Sequence, residues 1–339
     1  MIIIFFLLGL NLLLLLNLKR ISHTFNIFDK PDGKLKLHKI KIPIVGGIIL
    51  MINFSMIFIY QILFLDQFLF LDIENISHFE FLSLLTLIYG YFFLGLYDDK
   101  YYLSPLKKLI LSISIILITI FLNKNLVITN LTLSFYDKRI FFENFSIIFT
   151  IFCILILINS LNFYDGINGQ SCVIFLVFFS YLFTRGDTNF FYLLCILLIF
   201  LVMILNFKNK LFLGDSGVYL LSMILSISLI YEYNIQKNIL YADEIFFLLL
   251  LPGFDLVRLT TTRSLNSKNP FLGDRDHIHH LLIKKYSLVL TNIILFFLSI
   301  LPVFLFLFIK INFFLIFSIF VVIYVFLIQF LKSSDKNQT

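Results

Sequence analysis

Charge is scarce in this chain. Only 14% of its 339 residues are Asp, Glu, Lys or Arg, while 60% are hydrophobic and 45 are phenylalanine. Mean hydropathy is +1.00. Soluble domains carry about 25% charged and about 45–50% apolar residues, so a water-facing surface cannot be covered with what is present. The same shortage excludes a disordered chain and a nucleic-acid binder. Cysteine is scarce too. Cys153, Cys172 and Cys195 lie in apolar runs without a CxxC spacing, which excludes a secreted disulfide scaffold and marks them as core residues. The N-terminal run Met1–Leu18 lacks a basic leading segment and a small-residue cleavage site. It is expected to be a first membrane span rather than a cleaved signal.

What the chain has instead is long apolar runs. A membrane-crossing helix takes about 20 mostly apolar residues. Eleven segments qualify as candidates: Ile2–Leu18, Ile44–Leu65, Phe81–Leu96, Leu106–Leu122, Phe145–Ile158, Cys172–Phe183, Phe190–Leu205, Val218–Tyr231, Ile245–Val257, Leu288–Ile309 and Ile311–Leu331. The expected fold is an all-α polytopic membrane protein of about 11 transmembrane helices. A single membrane domain would cover residues 1–332, with a polar tail over 333–339. When the loops are assigned alternately to the two sides, 20 of the 26 Lys and Arg fall on the side of the loop after the first span. Such a split reads as cytoplasmic for that side, which puts the N-terminus outside and the C-terminus in the cytoplasm. The net charge of +6 then divides into about +10 inside and about −4 outside. Between the fourth and fifth spans, Val127–Phe142 alternates apolar and polar residues. It is expected to form a short outer β-hairpin turning at Asp137–Lys138.

The loops on the basic side hold most of the chemistry-bearing residues. The first, DKPDGKLKLHKIKIPIVGG, contains Asp29, Lys34, Lys36 and His38; it reads as an anion-binding segment or as a topology anchor. The second, GLYDDKYYLSPLKKL, places Asp98 and Asp99 at a span end, with Lys107 and Lys108 opening the next helix. Two adjacent carboxylates at a membrane boundary repel unless a cation binds; the other reading is a solvated helix end. Magnesium prefers such hard oxygen ligands together with substrate phosphates. In the third, NSLNFYDGINGQ, Asn159, Asn162 and Asp165 recur every three residues, which on a helix would align them along one side. They would bond a neighbouring helix, a metal or an incoming donor.

The fourth loop, NFKNKLFLGDSGVYL, contains Asn206, Lys210 and Asp215. Asp215 precedes a helix whose free N–H groups suit a phosphate, although an N-cap role is equally compatible. The fifth contains Arg258, Arg263, Arg275, His277, His279 and His280. HIHH is suggestive of zinc, but zinc would need further Cys or His at ligand spacing, so anion binding by His and Arg is the expectation. Together these loops point to magnesium-dependent phosphate chemistry at one membrane face. A transporter would place charge near the middle of its spans, and these spans are nearly free of it.

The five segments, in this order, resemble the polyprenyl-phosphate N-acetylhexosamine-1-phosphate transferases (glycosyltransferase family 4). The resemblance runs from Asp29 to Leu282 and rests on DKPDGKLKLHKIKIPIVGG, GLYDDK with LSPLKKL, NSLNFYDGING, FLGDSG and DRDHIHHLL. The HIHH form and eleven spans look like the undecaprenyl-phosphate N-acetylglucosaminyl 1-phosphate transferase branch. The peptidoglycan-precursor branch has ten spans and a different His motif. The resemblance implies transfer of a HexNAc-1-phosphate from a UDP-N-acetylhexosamine to undecaprenyl phosphate, with release of UMP. It implies Mg²⁺, with Mn²⁺ as an alternative, held at Asp215, Asp98 and Asp99, which would also be the catalytic residues. Substrate would be bound by Lys34, Lys36, His38, Lys108, Asn159, Asn162, Asp165, Asn206, Lys210, Arg275, His277, His279 and His280. The implied setting is the inner (plasma) membrane, with the site on the cytoplasmic face. The implied partners are the two substrates and membrane lipids; a homodimer is compatible and nucleic acid is excluded. Tyr102, Asn168, Lys208–Asn209 and Leu35–Lys36 depart from the family pattern. These departures bear on the sugar more than on the reaction.

Overall fold

A bilayer offers no water to backbone amides, so an apolar run that enters it must satisfy them within itself. The apolar runs accordingly fold as helices. The computed structural model describes residues 2–29, 41–64, 77–185, 189–234, 240–267 and 275–336. In chain order the helices are α1 (Ile2–Leu16), α2 (Leu18–Phe25), α3 (Gly46–Phe64), α4 (His78–Tyr101), α5 (Pro105–Leu122), α6 (Ser146–Phe163) and α7 (Gln170–Arg185). They continue with α8 (Asn189–Phe207), α9 (Gly214–Asn234), α10 (Ala242–Leu248), α11 (Leu250–Leu265), α12 (Ile278–Lys285), α13 (Leu288–Leu307) and α14 (Phe313–Lys336). Eight of them are long and apolar enough to cross a membrane alone, and the pairs α1–α2 and α10–α11, each bent by 68°, raise the number to ten. The expected sixth span is α7, apolar but only 16 residues long. The helix α14 runs on into the polar tail as far as Lys336.

The middle of the bundle is α9, whose residues from Ser216 to Glu232 are all buried. It packs on α3, α4, α6 and α7, as a helix enclosed on every side must. Phenylalanines and leucines on α5, α13 and α14 point outward, as lipid-facing helices require.

Two small sheets mark the ends. Strands β1 (Phe28–Asp29) and β2 (Ile42–Pro43) pair antiparallel. The chain then laces to the segment before α9: Phe212 N–H donates to Pro43 O at 2.8 Å, Gly46 N–H to Phe212 O at 2.9 Å and Gly47 N–H to Leu213 O at 3.0 Å. The expected hairpin is present as β3 (Asn130–Leu133) and β4 (Tyr136–Phe141). Its turn, however, is at Ser134–Phe135, and Asp137 and Lys138 lie inside β4. A distant contact selects this turn, because the Asp243 carboxylate at the start of α10 accepts the Ser134 N–H at 3.0 Å as well as its hydroxyl. The hairpin also meets the far end of α9, where the Thr132 N–H donates to the Tyr233 hydroxyl at 2.6 Å. A helix the length of α9 spans about 30 Å, so hairpin and Asp215 stand at opposite ends of the bundle.

Candidate active site

The alternation of helices brings the ends of α4, α6 and α8 together with the starts of α5, α7 and α9, and α12 lies beside them. A cavity of about 1090 Å³ opens there. Of the residues expected to form a site, Asp98, Asp99, Lys108, Asp165, Asn206, Asp215, Arg275 and His280 line it, and Asp29, Asn168 and Lys284 join them. Lys34, Lys36 and His38 lie outside the described residues.

Asp98 and Asp99 do different work. Neighbours on a helix point about 100° apart, so the pair cannot present both carboxylates the same way. Asp98 is buried, and its Oδ1 accepts the Leu103 N–H at 2.6 Å. The chain turns back to make this bond at Tyr102, in the left-handed region with φ 56°. Pro105 then opens α5, a favoured position for proline, and its first turn carries Lys108. The Lys108 ammonium pairs with Asp98 Oδ2 and lies 3.3 Å from Asp215 Oδ2. Asp99, in contrast, accepts the N–H of Asp215 at 2.8 Å and the N–H of Ser216 at 3.0 Å, one on each oxygen. It caps α9 from another helix, placing negative charge at a helix N-terminus. Gly214 makes this contact possible: its φ is +74°, and a Cβ there would come 2.7 Å from Asp99 Oδ2.

The third loop differs from the expected helical stripe. Helix α6 stops at Phe163, so Asn159, Asn162 and Asp165 do not share one helix side. Asn159 is exposed and donates to Leu155 O of its own helix at 2.7 Å. The Oδ1 of Asn162 is buried without a hydrogen-bond partner. Neither lines the cavity, whereas Asp165, in the turn beyond the helix, does. Burial pushes the Asp165 carboxyl up to about 6, partly offset by the Ser171 hydroxyl donating at 2.6 Å. The third and fourth loops are tied by Asn206, whose Oδ1 accepts the Gly169 N–H and whose Nδ2 donates to Leu211 O at 3.0 Å. Asn168 Nδ2 adds a bond to Asn209 Oδ1 at 2.6 Å. Lys210 is exposed and outside the cavity lining.

The histidine segment divides between core and cavity. His277 and His279 are buried, while His280 and Arg275 reach the cavity. Lys284 reaches it as well; its spacing of four from His280 puts both on one face of α12, a signal legible in the sequence. Asp255 on α11 is the residue that sequence reasoning missed, in a span taken as nearly free of charge. It brings a carboxylate to His277 and His279, so that ligand-type atoms of the three lie within 4.8 Å of one another. The carboxylate is already committed: it accepts Arg258 Nη2 at 2.7 Å, His277 Nδ1 at 2.8 Å, the Tyr324 hydroxyl at 3.0 Å and Ile278 N–H at 3.2 Å. A cation would have to share it with the guanidinium of Arg258, so the arrangement is a hydrogen-bond network.

What emerges is a cavity with carboxylates from α4, α9 and the α6–α7 turn on one side, and cationic side chains from Arg275 to Lys284 contributing to its lining. It suits a ligand that carries several negative charges and a hard cation together. The chain is 24% identical over 278 residues to the undecaprenyl-phosphate alpha-N-acetylglucosaminyl 1-phosphate transferases of Escherichia coli (strain K12) and Salmonella typhi, covering 78% of this chain and 71% of each relative. It is 22% identical over 284 residues to the protein of the same name from Haemophilus influenzae, covering 80% of this chain and 76% of that one. Residues 81–232, from α4 through most of α9, match the family model "Glycosyl transferase family 4".

Proposed function

We propose that this protein transfers a HexNAc-1-phosphate from a UDP-N-acetylhexosamine to undecaprenyl phosphate, releasing UMP and forming the lipid-linked initiator of a cell-envelope polysaccharide. The observation that carries this reading is the convergence of five separate loops on one cavity that mixes paired carboxylates with cations. An oxygen of the lipid phosphate forms a bond to the β-phosphorus of the donor. The bond from that phosphorus to the bridging oxygen breaks, and UMP departs with the bridging oxygen. A phosphate monoester is mostly dianionic at neutral pH, its second pKa being about 6, so it is already nucleophilic. Positioning and charge neutralisation then dominate over general-base catalysis, which favours direct displacement.

A divalent cation, Mg²⁺ or Mn²⁺, fits the donor set. Two carboxylates from different helices, Asp98 and Asp215, converge, and the Lys108 ammonium now lies between them as a cationic stand-in. Asp215 and Asp98 are the residues that would hold the ion, with Asp99 behind them fixing Asp215. When bound, the ion would neutralise the donor diphosphate and polarise its phosphorus–oxygen bonds. Lys108 balances charge at the carboxylates, and Arg275, His280 and Lys284 meet phosphate or nucleotide oxygens. A second, apolar cavity of about 570 Å³ lies between the hairpin, α6, α9 and α11 and shares no lining residue with the first. The 20-to-6 division of Lys and Arg supports a cytoplasmic site in the plasma membrane, with eleven crossings and an external N-terminus.

The test is a panel of UDP-sugars offered to the purified protein with undecaprenyl phosphate and Mg²⁺, scored by UMP release. One or more UDP-N-acetylhexosamines should yield UMP and a labelled lipid diphosphate. Silence across the whole panel would sink the reading.

A further inference from the structure

His277 and His279 are buried and stacked, with ring centroids 5.1 Å apart and planes inclined by 17°. Their nitrogens meet different partners. The Nδ1 of His277 is 2.8 Å from Asp255 Oδ2; an ionised carboxylate only accepts, so this nitrogen carries the proton. The Nε2 of His277 faces Arg263 Nη2 at 3.4 Å; a guanidinium only donates, so this nitrogen is bare. In His279 the order is reversed. Its Nδ1 is 3.0 Å from Gln170 Nε2, while the other end of that amide, Oε1, takes the Gly166 N–H at 3.4 Å. The Gly166 bond sets the orientation of the amide, so Gln170 donates, His279 Nδ1 accepts and the proton is on Nε2. Burial, reinforced by His280 and His277, holds the His279 pKa well below the usual range. Its Nε2 is buried without a hydrogen-bond partner. It abuts Gly166, where an added methyl group would overlap it.

These bonds also decide where α12 lies. The helix has eight residues, too few to be stable alone. His277 occupies its N-cap position without a side-chain capping bond. Asp255 supplies the missing acceptor from α11, taking Ile278 N–H at 3.2 Å. Gln170, from α7, holds the adjacent residue of the same turn, His279. Beside them on α12, His280 and Lys284 line the cavity.

We infer that Asp255 and Gln170 are positioning residues that lock His277 and His279 as opposite neutral tautomers, docking α12 so that His280 and Lys284 meet the anionic donor. The kinetic part of this inference rests on the function proposed above; the tautomers do not. Asp255→Asn places an amide against the His277 proton while keeping the volume. It should raise the donor KM about tenfold, lower kcat less than about threefold and leave the acceptor KM unchanged, because α12 contributes binding rather than chemistry. Gln170→Leu should act in the same direction, and Gln170→Glu, which keeps the shape but loses the donor, serves where the leucine variant does not fold. Nitrogen-15 NMR of histidine-labelled protein in detergent should show one ring protonated on Nδ1 and its neighbour on Nε2. Asp255→Asn should change only the first, and the Gln170 variant only the second. Three results would overturn the inference: both rings in one tautomer, equal losses in kcat and in both KM values, or stoichiometric zinc on the histidines of the purified protein. If the wild-type protein releases no UMP, the proposed function fails while the NMR measurement still decides the tautomers.

Discussion

The carboxylate of Asp99 accepts the backbone N–H of Asp215 at 2.8 Å. With its second bond, to Ser216 N–H at 3.0 Å, it holds the first turn of α9 and thereby sets where the Asp215 side chain stands. Of the adjacent Asp98 and Asp99, one shares the Lys108 ammonium with Asp215 and the other supports Asp215 from behind.

This division predicts different defects. Asp215→Asn should abolish UMP release and leave the melting temperature in detergent within a few degrees of wild type. Asp99→Ala should remove the acceptor from two backbone donors, costing about 2 kcal/mol and lowering the melting temperature together with activity. Equal stability of the two variants would refute the separation of roles.

Lys108 stands where a divalent cation would be welcome. Lys108→Met should therefore leave Asp98 and Asp215 facing each other uncompensated, which strengthens cation binding. The Mg²⁺ concentration for half-maximal activity should fall severalfold, while kcat drops at least about tenfold through lost charge neutralisation. A magnesium titration of both proteins checks this; an unchanged midpoint with unchanged kcat would contradict it.

Asp165 should impose a pH dependence. Burial raises its carboxyl to about 6, against an ordinary value near 4. The native state therefore binds the proton more tightly than the unfolded chain does. The resulting stability is fully present below about pH 4 and is lost as pH rises through about 6. In EDTA the melting temperature should decline between about pH 5 and 7, and Asp165→Asn should flatten that decline. A profile that is the same in both proteins would remove Asp165 as its source.

Three glycines should respond unequally to alanine. Gly214→Ala meets a positive φ and a crowded Asp99, so activity should vanish with a loss of about 2 kcal/mol or more. Gly166→Ala drives a methyl group into His279 and should weaken donor binding. Gly253 in α11 has open space around its Cβ position, so Gly253→Ala should be neutral or add up to about 1 kcal/mol. Thermal shifts of the three variants give the order directly.

Much of this was legible in the residues. The apolar runs found the helices, though α9 begins at Gly214, about one turn ahead of the expected Val218, because Asp99 caps it from outside. The hairpin was recognised from alternation, but its turn was not, because Asp243, more than a hundred residues away, selects Ser134. The regular spacing of Asn159, Asn162 and Asp165 misled, since the helix ends between the second and third. Asp255 gave no local signal: one carboxylate in an apolar helix has meaning only beside the arginine, tyrosine and histidine that reach it.

The amino-acid sequence by itself determined the class of the molecule, because so little charge and so many apolar runs leave a chain no stable arrangement except helices in a membrane. It also pointed to which loops share a side, since Lys and Arg fall unevenly between alternate loops. Which polar atoms face the cavity was decided only by the tertiary structure. At a helix end the side-chain direction depends on single backbone angles, such as those at Tyr102 and Gly214. It depends equally on hydrogen-bond partners supplied by other helices, as Asp99 supplies Asp215 and Gln170 supplies His279.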